Sequence, residues 1–284
     1  MSLMERRQRL RGLSINRMIP NILTLLALCA GLTAVRYSLQ ERWEPAVGAL
    51  VIAAILDTLD GRIARMLKGT SKFGAELDSL SDFLCFGVTP ALILYMWTMQ
   101  TAGPLGWVLV LLYSVCCALR LARFNTNLES PDPPVWANKF FTGVPAPAGA
   151  GLVLIPVILS FPFGEEWVRT PYVAGPIIVV VSALLVSRLR TFAFKNFRIP
   201  HNWVLPTMLV VGLLAALTVS APWMTLLVIL LVYAVSLPFG PRQFKKLRAQ
   251  TMAAEDAAEA EEFIDPDDDG EDESDAPASP RAAE

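Results

Sequence analysis

The sequence predicts an all-α polytopic membrane protein of about eight transmembrane helices, with both termini in the cytoplasm. Composition is the first reason: 54% of the 284 residues are hydrophobic and mean hydropathy is +0.47, above the roughly 45–50% apolar content of soluble domains. The second is that the apolar residues fall in blocks, each close to the ~20 residues that cross a bilayer. The third is a side-to-side alternation of basic residues between those blocks.

In order, the expected spans are 19–38, 46–66, 78–98, 104–123, 146–162, 171–188, 203–220 and 222–238. The first follows Arg6, Arg7, Arg9, Arg11 and Arg17. That resembles a signal peptide's charged region, but no small-residue cleavage site follows, so it reads as a retained span. The fifth is short and begins in a Pro/Gly/Ala stretch. The last two are separated by the Ala221-Pro222 turn and form a hairpin.

Basic residues gather in the N-terminal arm and after spans two (Arg65, Lys68, Lys72), four (Arg120, Arg123, Lys139), six (Arg188, Arg190, Lys195, Arg198) and eight (Arg242, Lys245, Lys246, Arg248). Connections on the other side have no net positive charge: 99–103 is uncharged, 163–170 has Glu165 and Glu166 against Arg169, and 39–45 has Arg42 against Glu41 and Glu44. Every crossing obeys the positive-inside rule, which requires an even span count and cytoplasmic termini. Trp43, Trp97, Trp107, Trp167, Trp203 and Trp223 lie near span ends, as in an interfacial aromatic belt.

Residues 255–284 hold 14 of the 26 acidic residues and a single basic one, Arg281, leaving 12 acids against 23 bases in 1–254. A basic membrane body suits anionic lipid and phosphate; no nucleic-acid partner is expected. The acidic segment has almost nothing apolar to bury and reads as disordered. The chain thus divides into a basic cytoplasmic arm (1–18), a transmembrane catalytic domain (19–240), a basic juxtamembrane segment (241–254) and a disordered acidic tail (255–284). Cys29, Cys85, Cys116 and Cys117 lack the spacing of a thiolate metal site and read as small core residues. The lone His201 falls in a loop.

Four aspartates stand against this apolar background. Asp57 and Asp60 end span two, and Asp78 and Asp82 begin span three. A carboxylate near hydrocarbon costs several kcal/mol unless paired, hydrated or metal-bound. On a helix, Asp57, Asp60, Gly61, Ala64 and Arg65 follow i, i+3, i+4, i+7, i+8 and share one face. Gly74, Asp78 and Asp82 follow i, i+4, i+8 and share another. The short connection 66–73 folds span three back on span two, so the two acidic faces meet. Converging carboxylates repel unless cations lie between them, and hard oxygen ligands suit Mg²⁺, Mn²⁺ or Ca²⁺. The small Gly61, Ala64 and Gly74 leave room for a bulky ligand against the backbone. Solvated helix-end acids, with Asp78 favoured by the helix dipole, would explain one or two of these residues but not four on matched faces.

The pattern Asp57-x-x-Asp60-Gly61-x-x-Ala64-Arg65, eight residues, then Gly74-x-x-x-Asp78-x-x-x-Asp82 resembles the complete signature of the CDP-alcohol phosphotransferase family. The resemblance covers roughly spans one to six. It implies two divalent ions, Mg²⁺ or Mn²⁺, held between spans two and three on the pyrophosphate of a CDP-linked donor. It also implies that Asp57, Asp60, Asp78 and Asp82 are metal ligands, with Asp82 also the general base. CDP would be bound by Asp57, Gly61, Ala64, Arg65, Gly74 and Asp78. In-line displacement would release CMP, in a homodimer embedded in the lipid bilayer of a bacterial cell (inner) membrane, with the site facing the cytoplasm.

Three segments narrow the acceptor: Phe83–Ala91 after Asp82, Ala118–Asn125 at the end of span four, and Phe140–Pro147 beyond it. Together they resemble the branch of the family that uses CDP-diacylglycerol and L-serine. Arg120 and Arg123 lie i, i+3 at the cytoplasmic end of span four. Guanidinium suits the serine carboxylate or a lipid phosphate, although such residues also serve as snorkelling anchors. Asn125 is a further candidate for the amino or carboxylate group. Other acceptors, glycerol 3-phosphate or an inositol compound, are the alternative within the family. Outside it, the alternative is a divalent-cation transporter, whose acids would lie near the midplane rather than toward the cytoplasmic side.

Overall fold

The computed structural model describes residues 15–67, 71–128, 140–187, 190–192 and 204–237, all within one compact unit, Met1–Pro241. The N-terminal arm up to residue 14, Lys139, His201, the juxtamembrane segment and the acidic tail lie outside the described residues.

Among the described residues the architecture is helical apart from one small ribbon. Helix α1 (Ile15–Leu39) turns tightly into α2 (Trp43–Met66). Glu41 takes a left-handed conformation (φ 58°), and the amides of Gln40 and Arg42 both donate to the Tyr37 carbonyl. Helix α3 (Lys72–Asp82) starts at Ser71, whose side chain accepts from the Gly74 amide at 3.0 Å. It runs without interruption into a π-helical stretch, Phe83–Val88, and then α4 (Thr89–Trp97). The π geometry alters the i→i−4 ladder; Tyr113 and Ser114 of α5 (Pro104–Leu128) donate to the Phe86 and Gly87 carbonyls at 2.8 and 3.0 Å.

Helices α6 (Ala146–Val153) and α7 (Ile155–Phe163) form one rod bent by 45° at Leu154. Pro156 cannot donate to the Leu152 carbonyl, so the α-helical ladder fails there. Helix α8 (Pro171–Val186) packs on α5, while α9 (Val204–Ser220) and α10 (Pro222–Ser236) form the closing hairpin. Strands β1 (Phe140–Thr142) and β2 (Arg190–Phe192) pair antiparallel, Phe141 opposite Thr191. This joins the connections that follow α5 and α8, two of those expected in the cytoplasm.

Helix α1 lies along α2 and also touches α3, the π stretch and α4. Ser81, Cys85 and Thr89, spaced by four, donate to the Thr24, Ala27 and Gly31 carbonyls of α1 at 3.3, 3.4 and 3.5 Å. The central core includes the fully buried Phe86, Ile93, Leu94, Trp97, Tyr113 and Ile178. Cys85, Cys116 and Cys117 are buried free thiols, as expected of core residues, whereas Cys29 of α1 is exposed.

Among the described residues, eight helical rods overlap the eight expected spans in sequence. Among the described residues, three are long and apolar enough to cross a membrane (Met18–Leu39, Lys72–Trp97 and Pro104–Thr126), and the bent α6–α7 pair makes a fourth. Helix α2 has the length but carries Glu44, Asp57, Asp60, Arg62 and Arg65. Helices α8, α9 and α10 have 16, 17 and 15 residues, about 23–26 Å at ~1.5 Å per residue, against a hydrocarbon core of ~30 Å. No residue of α9 is buried, and Leu205 and Val219 are 74% and 87% exposed. An apolar helix exposed all round suits lipid rather than water.

Candidate active site

The hairpin of α2 and α3 brings three of the four aspartates to one point. One carboxylate oxygen from each of Asp57, Asp60 and Asp78 lies within 4.8 Å of the others. Asp82, one turn further along α3, stands outside this trio, and its carboxyl faces that of Asp57. The expected convergence of four is therefore three plus a neighbour. Asp60 is 3% exposed, and its Oδ2 accepts a 2.6 Å hydrogen bond from the Thr24 hydroxyl of α1. Asp82 Oδ1 is buried with no hydrogen-bond partner.

Three ionised carboxylates this close repel one another by roughly 3 kcal/mol per pair at an effective dielectric of about 20. A divalent ion removes that cost. Oxygen–metal distances of ~2.0–2.1 Å for Mg²⁺ and ~2.3–2.6 Å for Ca²⁺ set oxygens across one ion about 4–5 Å apart. The trio fits one such ion, and the unpartnered Asp82 oxygen extends the oxygen set beyond it.

The other expected site residues divide. Gly61 has nothing within 4 Å of where a side chain would begin and is exposed beside half-buried Ala64. Arg65 is exposed, its Nε donating to the Gly61 carbonyl at 2.9 Å. Gly74 does not leave room for a ligand: a Cβ there would lie 2.8 Å from Asn21 Oδ1 and 3.1 Å from Ser71 Oγ. Its small size serves the approach of α1 and the cap of α3.

Arg123, expected at the acceptor or at a lipid phosphate, donates from Nη1 to the Val186 carbonyl at 2.9 Å and so caps α8. Asn125 Nδ2 donates to Ser79 Oγ at 2.9 Å, tying α5 to α3. Arg120 is directed toward the acidic region: Asp82 is among its electrostatic neighbours, and its Nε is buried without a partner.

Sequence reasoning missed Thr24 and Asn21, since both sit in a span that reads only as apolar. Polar residues inside a hydrophobic block are the one signal that could have found them.

Comparison with known proteins follows the same outline. The family model described as CDP-alcohol phosphatidyltransferase matches residues 17–181, and one described as CDP-alcohol phosphatidyltransferase 2 matches 202–238. A Mycobacterium tuberculosis protein named CDP-diacylglycerol–serine O-phosphatidyltransferase is 40% identical over 232 residues, 82% of this chain and 80% of that one. A Mycobacterium leprae protein of the same name is 39% identical over 84% of this chain and 80% of its own length. One from Helicobacter pylori is 33% identical over 77% and 88%.

Proposed function

Since the chain belongs to the CDP-alcohol phosphatidyltransferase family, we propose that it transfers the phosphatidyl group of CDP-diacylglycerol to the hydroxyl of L-serine, giving phosphatidylserine and CMP. Family membership displaces the cation-transporter alternative. The observation that carries the chemistry is the Asp57–Asp60–Asp78 cluster with the unpartnered Asp82 oxygen beside it.

Asp57, Asp60 and Asp78 would hold Mg²⁺ or Mn²⁺, with Asp82 reaching a second ion. Bound metal supplies positive charge against the pyrophosphate and the departing nucleotide. Asp82 takes the proton of the serine hydroxyl. The hydroxyl oxygen forms a bond to the lipid-side phosphorus while the bond to the CMP oxygen breaks, and CMP leaves with that electron pair. Gly61, with open space over its Cα, lets the donor approach the α2 backbone, flanked by Ala64 and Arg65.

An apolar cavity of about 390 Å³, lined among others by Val51, Ile55 and Leu59 of α2, Leu154 between α6 and α7, and Leu230 of α10, has Thr58 on its wall. Thr58 follows Asp57 in the chain, and the cavity is the place we assign to a donor acyl chain. We also place the protein in a bacterial cell membrane as a homodimer, its eight rods crossing the bilayer and its site facing the cytoplasm. The alternation of basic connections supports the crossings and the cytoplasmic face of the site, and the dimer follows from the family resemblance.

The test is CMP release by the purified protein in detergent, with CDP-diacylglycerol and Mg²⁺ or Mn²⁺, comparing L-serine, glycerol 3-phosphate and inositol phosphate. Metal-dependent release with serine alone is expected. Release only with another acceptor would move the protein to a different branch of the family.

A further inference from the structure

Five buried side-chain atoms among the described residues lack a hydrogen-bond partner: Asp82 Oδ1, Arg120 Nε, Tyr233 Oη, Trp97 Nε1 and Ser182 Oγ. Such atoms are rare because each carries a desolvation cost with no return. Three of the five belong to one group. Arg120 interacts electrostatically with both Asp82 and Tyr233, and these residues come from α5, α3 and α10. Three unmet polar groups from three helices, linked through Arg120 and reaching the metal-type cluster at Asp82, call for a ligand that satisfies them.

Their chemistry defines that ligand. Arg120 Nε can only donate and wants an oxygen, best an anionic one. The phenol of Tyr233 can donate to the same anion. Asp82 Oδ1, as a carboxylate, can only accept and wants a hydroxyl or ammonium. An anion at one end and a hydroxyl at the other, within the span of one small molecule, describes a hydroxy-amino acid.

Charge separates a carboxylate from a phosphate here. Arg123 donates to the Val186 carbonyl, and among the described residues the electrostatic neighbours of Arg120 are Asp82, Tyr113, Tyr233 and Cys117. Among the described residues, a single guanidinium that already faces an aspartate matches a singly charged anion better than a dianionic phosphate.

We infer that Arg120 and Tyr233 together bind the carboxylate of the acceptor, with Asp82 at its hydroxyl, so that Tyr233 sets the preference for an acceptor bearing a carboxylate. The inference rests on the serine transfer proposed above. It gives the closing hairpin, which carries none of the aspartate signature, a part in substrate selection.

The test compares L-serine with ethanolamine, which is serine without its carboxylate, in the full-length protein and in Tyr233→Phe. The loss expected is that of one hydrogen bond to a charged group. Tyr233→Phe should raise the KM for serine about tenfold and leave the KM for CDP-diacylglycerol unchanged. The ratio of kcat/KM for serine over ethanolamine should fall by the same factor. Tyr233→His, which keeps a ring donor, should retain part of the preference. An unchanged serine KM, a shift in donor KM alone, or an equal loss toward both acceptors in both variants would overturn the assignment. Absence of serine-dependent release by the unaltered protein would instead remove the proposed function, and the inference with it.

Discussion

Asp60 and Asp82 carry the same functional group but stand in opposite situations. Asp60 is 3% exposed and already holds the Thr24 hydroxyl on one oxygen, which fixes it for a ligand's role. Asp82 has a buried oxygen that nothing meets, which leaves it free to accept a proton. Asp82→Asn keeps the shape and removes the basicity. It should lower kcat by at least the roughly 10²–10⁴-fold typical of a general base while the thermal midpoint holds. Turnover near the normal rate would show that another group takes the proton. Thr24→Val should act differently, because it removes the hydroxyl that orients Asp60 at 2.6 Å and also approaches the Pro20 carbonyl of its own helix. Residues of this kind typically change metal affinity ~10–100-fold. The Mg²⁺ concentration for half-maximal CMP release should therefore rise by about that factor, with kcat at saturating Mg²⁺ little altered.

Between elements, the seam of α1 against α3–α4 is a row of side-chain-to-carbonyl hydrogen bonds over small residues, a common way for membrane helices to associate. Gly31 is the tightest point: a Cβ there would lie 2.6 Å from Cys85 Sγ. Gly31→Val should cost about 1–3 kcal/mol by overpacking, read as a lower thermal midpoint with substrate KM values unchanged. Arg123→Ala should likewise lower the midpoint, because α8 loses its cap at Val186; Arg120→Ala should raise the serine KM. The same elements show what could be read in advance. The aspartate faces were legible because helix period and a short connection fix which residues meet. The break at Pro156 was foreshadowed by the Pro/Gly-rich fifth block. The π stretch at Phe83–Val88 was not, since its altered bonding depends on α5 hydroxyls distant in sequence. Nor were the roles of Thr24, Asn21 and Tyr233, because each becomes functional only through the helix it is packed against. The bond that holds Arg123 was not legible either: the spacing that put it beside Arg120 says nothing of the α8 carbonyl it meets.

For the molecule as a whole, the acidic cluster is also where α1, α2 and α3 are held together, through Thr24, Asp57, Asp60 and Asp78. Without a cation the three carboxylates oppose this docking, and with one they favour it. Metal binding should therefore appear as stability as well as activity. A ligand that binds only the folded state adds RT ln(1 + [L]/Kd), about 2.7 kcal/mol at a hundredfold excess over Kd. Titrating Mg²⁺ or Mn²⁺ into metal-stripped protein should raise the thermal midpoint progressively, and a chelator should reverse the rise. In Asp60→Asn the repulsion is smaller to begin with, so the metal-free protein should unfold no earlier than the unaltered one, while the rise on adding metal should largely vanish. A midpoint equally sensitive to metal in both proteins would mean that the stabilising ion sits elsewhere, and Asp60 would lose its place as a ligand.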